Sequence, residues 1–254
     1  MCTLALYFRF FDDYPVIVAA NRDEQYNRAS SAPGLWDENL KIIAGKDLRA
    51  GGTWLGINEH GLIVGILNRR SNGQEIPATT MRSRGLLCMD LLRQISTASA
   101  KSFIDGHTES YNPFTMVFGD KDKMYASYNS DGRIMTHSLE AGLHVFSSAA
   151  DFDLHSAKAK RAYSLFTQLD GRAQPARGEV SQSIVALQSV LSDDSPGANS
   201  TDPGDAICVH REASGTVSSS IIFFSRNESL FETYYCPGAP CRNSFGNALR
   251  LSVR

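Results

Sequence analysis

The sequence lacks the features that mark several functional classes. Its 254 residues contain no apolar run of about 18 residues, so no integral membrane segment is expected. The formal net charge is only −2, and neither sign forms a long run, which argues against a nucleic-acid surface or a polybasic membrane patch. No basic leader precedes the apolar start, and Asp12 and Asp13 follow it closely. Residues 1–11 therefore favour a strand over a signal peptide.

Cysteine and histidine spacing gives no sign of a disulfide framework or a metal site. The five cysteines are odd in number and scattered, at Cys2, Cys88, Cys208, Cys236 and Cys241. With six histidines they form no CxxC or HxxxH pattern, so we assign no metal and no cofactor. Cys236 and Cys241 flank a Pro-Gly-Ala-Pro turn, which leaves free thiols, a redox-labile pair or a metal as alternatives for that loop. These features together favour a reducing, cytoplasmic setting.

The remaining pattern is that of one globular domain spanning residues 1–254. Hydrophobic residues make up 42% and charged residues 20%, and no repeat or domain boundary is visible. Strand-like segments are separated by two helical blocks, and the unbroken apolar run Val16–Ala20 predicts a strand covered on both faces. We therefore expect an α+β fold, a four-layer αββα sandwich of two antiparallel sheets between helices.

Local patterns place some of the helices and strands. Cys88, Leu91, Leu92 and Ile95 recur at helical spacing, which predicts one helix over residues 83–96 with these four side chains buried. Asp153 suits the N-cap of a helix that runs to about residue 169. Residues 206–209 are expected to form a strand near the C-terminal end of the chain.

The second residue, Cys2, is the strongest indication of function. Met1 is ordinarily removable when a small residue follows it, and its removal would leave a thiol and a free α-amine on Cys2. A nucleophile can then use its own amine as the general base. The α-amine titrates at about 7.7–8.0 and a free thiol at about 8.5, so both groups are poised near neutral pH.

Three polar or glycine-rich clusters could surround this nucleophile. Asn21-Arg22-Asp23-Glu24 is predicted to end the second strand, and hairpin pairing would return it to Cys2, where a carboxylate could hold the ammonium and a guanidinium could favour the thiolate. Gly51–Gly56 encloses Trp54, which could face a ligand or lie in the core. Asn58 and the segment Asn68-Arg69 lie on a predicted hairpin, where an amide could donate to an oxyanion.

The chain resembles the NRDE family, the family of the eukaryotic transport and Golgi organisation protein. Four ordered motifs carry the resemblance: Cys2-Thr3-Leu4, Asn21-Arg22-Asp23-Glu24, Ala44-Gly45-Lys46-Asp47-Leu48 and Gly51-Gly52-Thr53-Trp54-Leu55-Gly56. The start and the hairpin Gly56–Asn68 are also similar to the bile-salt hydrolase and penicillin V acylase group. That group consists of N-terminal-nucleophile (Ntn) hydrolases with an αββα sandwich.

The resemblance implies a set of site residues. Cys2 would be the nucleophile, Arg22 and Asp23 would poise it, and Asn68 would help to form the oxyanion hole. The further candidates for contact with substrate are Asn21, Glu24, Trp54, Asn58, Arg69 and Ser148. Two positions depart from the pattern, because Ser148 and Val217 stand where relatives carry Asn and Arg.

Two functions from different classes follow. The first is an Ntn-type amidase or acyl-transfer enzyme that acts on a non-peptide C–N or thioester bond of a small-molecule substrate, with Cys2 as nucleophile after removal of Met1. The second is a non-catalytic carrier or trafficking protein that binds a hydrophobic ligand, a lipid, an acyl group or haem, as the resemblance to the eukaryotic relative implies.

Overall fold

The computed structural model of the chain describes residues 2–36, 40–69, 81–130, 133–148, 156–175, 180–198 and 200–254. Met1 and Asp153, the residue expected to cap a helix, lie outside these ranges. The strands in chain order are β1 (Thr3–Phe8), β2 (Val16–Gln25), β3 (Ser30–Leu35), β4 (Ile42–Asp47), β5 (Leu55–Asn58), β6 (Ile63–Asn68), β7 (Phe114–Gly119), β8 (Met124–Ser130), β9 (Arg133–Leu139), β10 (Gly142–Ser147), β11 (Ser214–Ser225), β12 (Leu230–Pro237) and β13 (Leu249–Ser252). The helices are α1 (Arg84–Leu92), α2 (Thr97–Asp105), α3 (Ala157–Thr167) and α4 (Ser181–Leu191).

The strands form two antiparallel sheets. The first has six strands in the order β10-β1-β2-β11-β12-β13, and the second has seven in the order β3-β4-β5-β6-β7-β8-β9. The second sheet is a simple meander, because each strand pairs with the next one in sequence. In the first sheet β1 lies between β10 and β2, so residue 2 enters an interior strand, as the sequence predicts.

Three apolar layers define the architecture. Side chains from both sheets meet in the central layer, where Leu4, Leu6 and Val18 face Ile57 and Leu67. A second layer joins the outer face of the first sheet to α3 and α4, and a third joins the second sheet to α1 and α2. The predicted α+β, four-layer αββα sandwich is therefore confirmed.

The strand β2 shows why its apolar run has no alternation. Val16 and Val18 belong to the layer between the sheets, while Ile17 and Ala19 belong to the layer under the helices. Successive side chains of a strand point to opposite faces, so a strand covered on both faces must be apolar at every position.

Local expectations differ from the structure at three places. The helix predicted over residues 83–96 ends early, at Leu92, and a separate helix α2 begins at Thr97, where Ser96 is its N-cap in a capping box with Ser99. Ile95 therefore lies between helices and is 70% exposed, rather than buried on the stripe. Residues 206–209 are buried but form no strand, and α3 begins at Ala157 with Ser156 as its N-cap. Within the described residues, no helix is both long enough and apolar enough to cross a membrane.

Candidate functional site

Cys2 immediately precedes β1, at one end of the interior strands of the first sheet. Its backbone nitrogen donates a hydrogen bond to the Ser148 hydroxyl at 2.7 Å, and its carbonyl accepts from the Ser148 N–H at 3.2 Å. Ser148 follows β10, so the β1–β10 ladder brings it to Cys2 although 146 positions separate them in sequence. The Cys2 thiol lies 3.8 Å from the backbone carbonyl oxygen of Asp23.

Arg22 faces the space between the sheets, on the same side as Cys2. The guanidinium lies 4.3 Å from the centroid of the Trp54 ring and donates to the Ser30 hydroxyl at 3.3 Å. Only 6% of Arg22 is exposed, so this cation has left bulk water and gains from the aromatic face. Trp54 both packs against the apolar layers and lines the cleft, which combines the two alternatives open for it from sequence.

Asp23 points to the opposite face of β2, toward the helices. Its carboxylate pairs with the ammonium of Lys158 at 3.3 Å and accepts from the Thr216 hydroxyl at 2.7 Å. Asp23 and Lys158 are both almost fully buried, 5% and 4% exposed. A buried carboxylate needs such partners, because an uncompensated charge in the interior is costly.

The pKa of the Cys2 thiol is raised above its ordinary value. Burial is the main cause, and the charge of Asp23 acts in the same direction. The N-terminal charge, the hydrogen bond to the Asp23 backbone and, least of the three, the charge of Arg22 lower the pKa and only partly offset this rise. The thiol is therefore held protonated near neutral pH and needs a base to become a nucleophile.

An open cleft of about 570 Å³ begins at Cys2 and runs between the two sheets. Five arginines and three acidic residues contribute to its lining, although the carboxylate of Asp23 faces Lys158 instead: Arg22, Arg28, Arg49, Arg82, Arg84, Asp23, Glu24 and Asp47. Arg28 is paired with Asp47 at 2.7 Å, and Arg82 pairs with Asp90 outside the lining. Positive charge is thus in excess on the described part of this wall.

Arg84 stands out among these cations. Burial is the main cause of its lowered pKa, with the nearby charge of Arg28 adding to it. Its guanidinium donates to the Pro113 carbonyl at 2.8 Å. No carboxylate of the described residues lies within ion-pair distance of Arg84, so an anionic group entering the cleft would meet a partly desolvated cation.

A smaller recess, about 20 Å³ in volume, adjoins Cys2 on its apolar side. Leu4, Ala20, Leu55 and Leu67 contribute to its lining. Since about 10–15 Å³ of such volume holds one water, the recess takes a methyl-sized group but no extended chain.

The predicted site residues divide into those at the cleft and those used by the fold. Besides Cys2, Arg22 and Asp23, the cleft is lined by Glu24, Trp54 and the exposed side chain of Asn68. Ser148 contacts the backbone of Cys2 directly. The structure therefore brings these seven residues to one end of the molecule.

Asn58, Asn21 and Arg69 have other uses. The Asn58 amide donates to the carbonyls of Leu92 and Gln94 and is fully buried, so it fixes the end of α1 and lies away from the cleft. Asn21 borders the small recess, but its amide donates to the Ile207 and Leu191 carbonyls. The Arg69 guanidinium donates to the Asn129 carbonyl and lies over the Tyr128 ring, outside the cleft lining.

Val217 occupies an irregular position in β11. The β2–β11 register shifts between Thr216 and Ser218, so Val217 is the extra residue of a β-bulge. Its carbonyl accepts from the Gly238 N–H at 3.0 Å. The bulge re-aims Thr216, which reaches Asp23.

Sequence reasoning missed Lys158, Thr216 and Arg84. A lysine within an amphipathic helix reads as a solvated side chain, and no spacing links it to Asp23. Sequence reasoning also missed a second cluster, in which the ligand atoms of Cys208, His210 and Cys241 all lie within 4.8 Å of one another. Cys241 thus lies next to Cys208, whereas the Cys236 thiol lies 3.9 Å from the Gly238 carbonyl oxygen.

Comparisons with known proteins agree on one family. A family model described as Transport and Golgi organisation 2 matches residues 1–235. The Transport and Golgi organization 2 homolog of Mus musculus is 34% identical over 150 residues, which make up 54% of this chain and 51% of that protein. The Homo sapiens homolog is 32% identical over 146 residues, again 54% and 51%. The chain spans about half the length of the curated relatives it matches.

Solved structures share the fold at low sequence identity. The Caenorhabditis elegans ortholog of N-acylethanolamine-hydrolyzing acid amidase has a TM-score of 0.57 at 13% identity, covering 87% of this chain and 92% of that one. A variant of the conjugated bile acid hydrolase from Clostridium perfringens has a TM-score of 0.50 at 12% identity, covering 97% and 92%. The expected Ntn-hydrolase fold is therefore confirmed.

Proposed function

We propose that this chain, which belongs to the Transport and Golgi organisation 2 family, is an N-terminal-cysteine amidase or acyl-transfer enzyme. Its substrate would be a small molecule with a non-peptide amide or a thioester bond. The observation that carries the proposal is the position of Cys2: its thiol opens on the cleft, while its nitrogen lies 2.7 Å from the Ser148 hydroxyl. Once Met1 is removed, that nitrogen is an α-amine that can act as general base.

The proposed reaction has two steps. The Cys2 sulfur attacks the carbonyl carbon, its proton moves to the α-amine, and the C–N or C–S bond breaks as the amine returns the proton to the leaving group. Water or an acceptor amine then attacks the thioester and regenerates the thiol. Asn68, whose side chain lines the cleft, would donate to the developing oxyanion, and donors at this point typically contribute about 10²–10³ in rate.

The positions of Asp23 and Arg22 fit the same reaction. Asp23 lies beside Cys2, with the thiol 3.8 Å from its carbonyl, and holds Lys158 and Thr216 through its side chain. In the mature chain this carboxylate would stabilise the protonated amine formed during attack. The positive charge of Arg22, which faces the cleft, would favour the thiolate form of Cys2.

Charge and volume narrow the substrate class. The excess of arginine over carboxylate along the cleft, together with the burial of Arg84, favours a substrate that carries a carboxylate, sulfonate or phosphate. The recess beside Cys2 admits only a methyl-sized group, so a longer acyl chain would lie along the open cleft. We therefore infer an anionic acyl conjugate.

One observation favours the carrier as a second candidate. Ser148 stands where relatives carry an oxyanion-binding Asn, and its hydroxyl accepts from the Cys2 nitrogen instead. A cleft with apolar and cationic walls can also hold an anionic amphiphile without chemistry. In that case Cys2 would contact the ligand and no acyl-enzyme would form.

An intact-mass experiment separates the two candidates. The mature chain should lose the mass of Met1 and, after incubation with N-acyl glycines and N-acyl taurines, should gain one acyl group that Cys2→Ala does not gain. N-acyl ethanolamines of the same chain length provide the neutral comparison and should react more slowly. A lysine inserted between Met1 and Cys2 would keep the methionine and displace the amine, so turnover should disappear while alkylation of the thiol persists.

Other results would contradict the proposed role of Cys2. Retention of Met1 in active protein, or turnover that survives Cys2→Ala, would exclude the nucleophile. Ser148→Asn combined with Val217→Arg should increase turnover if these positions limit the oxyanion hole and the binding of anions. Saturable binding of the anionic conjugates with no acyl adduct in either form would leave the carrier as the function.

A further inference from the structure

The cluster Cys208, His210 and Cys241 lies behind the candidate active site and has no role in the proposed reaction. The Cys208 and Cys241 sulfurs are 3.5 Å apart, and His210 Nε2 lies 3.1 Å from the Cys241 sulfur and 3.7 Å from the Cys208 sulfur. Two soft sulfurs and one imidazole nitrogen thus converge on a single point from two distant segments of the chain.

These separations match the edges of a metal coordination tetrahedron. A tetrahedral Zn²⁺ has Zn–S bonds of about 2.3 Å and Zn–N bonds of about 2.0–2.1 Å, which set two sulfurs about 3.8 Å apart and a sulfur and a nitrogen about 3.5 Å apart. All three observed distances fall within about 0.4 Å of these values. The three ligand atoms are therefore already close enough together to surround one ion.

Backbone hydrogen bonds hold both segments in place. The Cys208 N–H donates to the Asp193 carbonyl at 2.8 Å, and the next N–H, that of Val209, donates to the Thr216 hydroxyl at 2.9 Å. The loop that carries Cys241 is tied by Gln188 Nε2, which donates to the Pro240 carbonyl at 3.1 Å. The donor atoms are therefore preorganised.

We propose that Cys208, His210 and Cys241 bind one thiophilic divalent cation, with Zn²⁺ as the best match. Two thiolates and an imidazole suit zinc, whereas magnesium and calcium prefer oxygen ligands. Among the described residues these three form the whole group of nearby ligands, so the fourth position is left for water or a bound molecule. Cys208 is buried, while His210 and Cys241 are partly exposed and give the ion a route of entry.

The side chain of Thr216 lies between the cluster and Asp23, the residue beside Cys2. Thr216 contacts the Cys208 thiol and donates its hydroxyl hydrogen to Asp23. A bound cation would thus help to hold Thr216 of β11 in its contact with Asp23. The proposal itself does not depend on any activity of Cys2.

A disulfide is the rival for the same pair of thiols. Its S–S bond of about 2.05 Å is shorter than the 3.5 Å observed, and its formation would transfer two electrons to an oxidant and release two protons. It would also leave the contacts of His210 unexplained. The rival is tested by the same experiment.

The test uses the full chain, purified under reducing conditions, loaded with Zn²⁺ and desalted before its metal content is measured. Loading with Co²⁺ in parallel gives a near-ultraviolet thiolate-to-metal charge-transfer band. We expect about one equivalent of metal, and His210→Gln and Cys241→Ala should each weaken binding at least ~100-fold, the upper end of what loss of even an outer-shell partner costs. Both positions are partly exposed, and circular dichroism would confirm that the variants are folded.

Cys236→Ala and Cys2→Ala are the matched controls, because each removes a thiol outside the cluster and should leave the metal and the band unchanged. Three results would overturn the proposal. The first is a metal content well below one equivalent in the wild type, and the second is metal binding by His210→Gln and Cys241→Ala as tight as that of the wild type. The third is a Cys208–Cys241 disulfide that forms in air, with no metal binding after its reduction. Loss of the band in Cys2→Ala would assign the metal to the cleft instead.

Discussion

The hydroxyl of Ser148 lies 2.7 Å from the backbone nitrogen of Cys2, although 146 positions separate the two residues in sequence. The contact arises because β1 pairs with β10 in register, with Thr3 opposite Ser147. The contact places a neutral hydroxyl, which can both donate and accept a hydrogen bond, beside the Cys2 nitrogen that would become the catalytic amine. Ser148 is thus better suited to orienting that amine than to replacing a missing amide.

This geometry predicts a specific effect of Ser148→Ala. With the hydroxyl gone, the α-amine loses a hydrogen-bond partner that fixes its lone pair toward the thiol, and turnover should fall by about 10²-fold, the lower end for acid–base catalysis. Ser147→Ala is the matched control, because that hydroxyl pairs with Ser156 instead. Steady-state kinetics with an anionic acyl conjugate would measure both. Equal losses in the two variants would contradict the orienting role.

The Cys2 thiol should ionise at a higher pH than an ordinary cysteine thiol. Burial raises its pKa, so the rate of iodoacetamide alkylation should rise with pH along a curve centred above the ordinary value of about 8.5. Arg22→Ala removes a charge that lowers this pKa and should shift the curve to higher pH. Arg22→Lys keeps the charge and should shift it less. Superimposable curves for the wild type and Arg22→Ala would show that Arg22 does not act on the thiol by charge.

Much of the fold follows from the sequence, because apolar periodicity reports which faces of an element are covered. The run Val16–Ala20 predicts a strand buried on both faces, and the layers above and below it confirm this. The edge strand β3 and its neighbour β4 escaped prediction. Of these, β3 is the sequence Ser-Ser-Ala-Pro-Gly-Leu, which carries no apolar alternation, and it belongs to the sheet only through its pairing with β4.

The candidate site was predictable only in part. Asn21–Glu24 was expected to follow the end of β2, but the strand continues to Gln25 because these residues pair with Gly215–Ser219 of β11. Strand alternation then divides the motif, with Arg22 toward the cleft and Asp23 toward Lys158. Partners such as Lys158 come from long-range packing, which no local spacing reveals.

The buried pair of Lys158 and Asp23 should dominate local stability. Lys158→Met removes the ammonium that pairs with the buried Asp23 carboxylate, and removal of one partner of such a pair typically costs about 3–5 kcal/mol. Lys101→Met breaks an exposed helical pair with Asp105 and should cost less than about 1 kcal/mol. Urea unfolding would measure both.

The double variant Lys158→Met with Asp23→Asn tests the cause of that loss. It removes the stranded charge and should recover part of the lost stability. A single-variant cost no larger than that of Lys101→Met would show that water reaches Asp23.

The close approach of Gly52 to Gly85 should be as strict a requirement for the cleft as any polar contact. A Cβ added at Gly52 would lie 2.2 Å from the backbone carbon of Gly85, and the Thr53 N–H donates to the Gly85 carbonyl at 3.0 Å. Neither backbone can yield cheaply, because one leads to Trp54 and the other begins α1 beside Arg84. Gly52→Ala should therefore cost about 1–3 kcal/mol, as overpacking usually does.

Gly34→Ala is the matched control, because its added Cβ meets no atom within 4 Å and its stability should stay within about 0.5 kcal/mol of the wild type. Thermal unfolding would give the two stabilities, and tryptophan fluorescence would show whether the surroundings of Trp54 change in the folded protein. Gly52→Ala should alter both readings, since the clash lies at the wall of the cleft. If it altered neither, the contact between the β4–β5 loop and the start of α1 would not be what sets the position of Trp54 and Arg84.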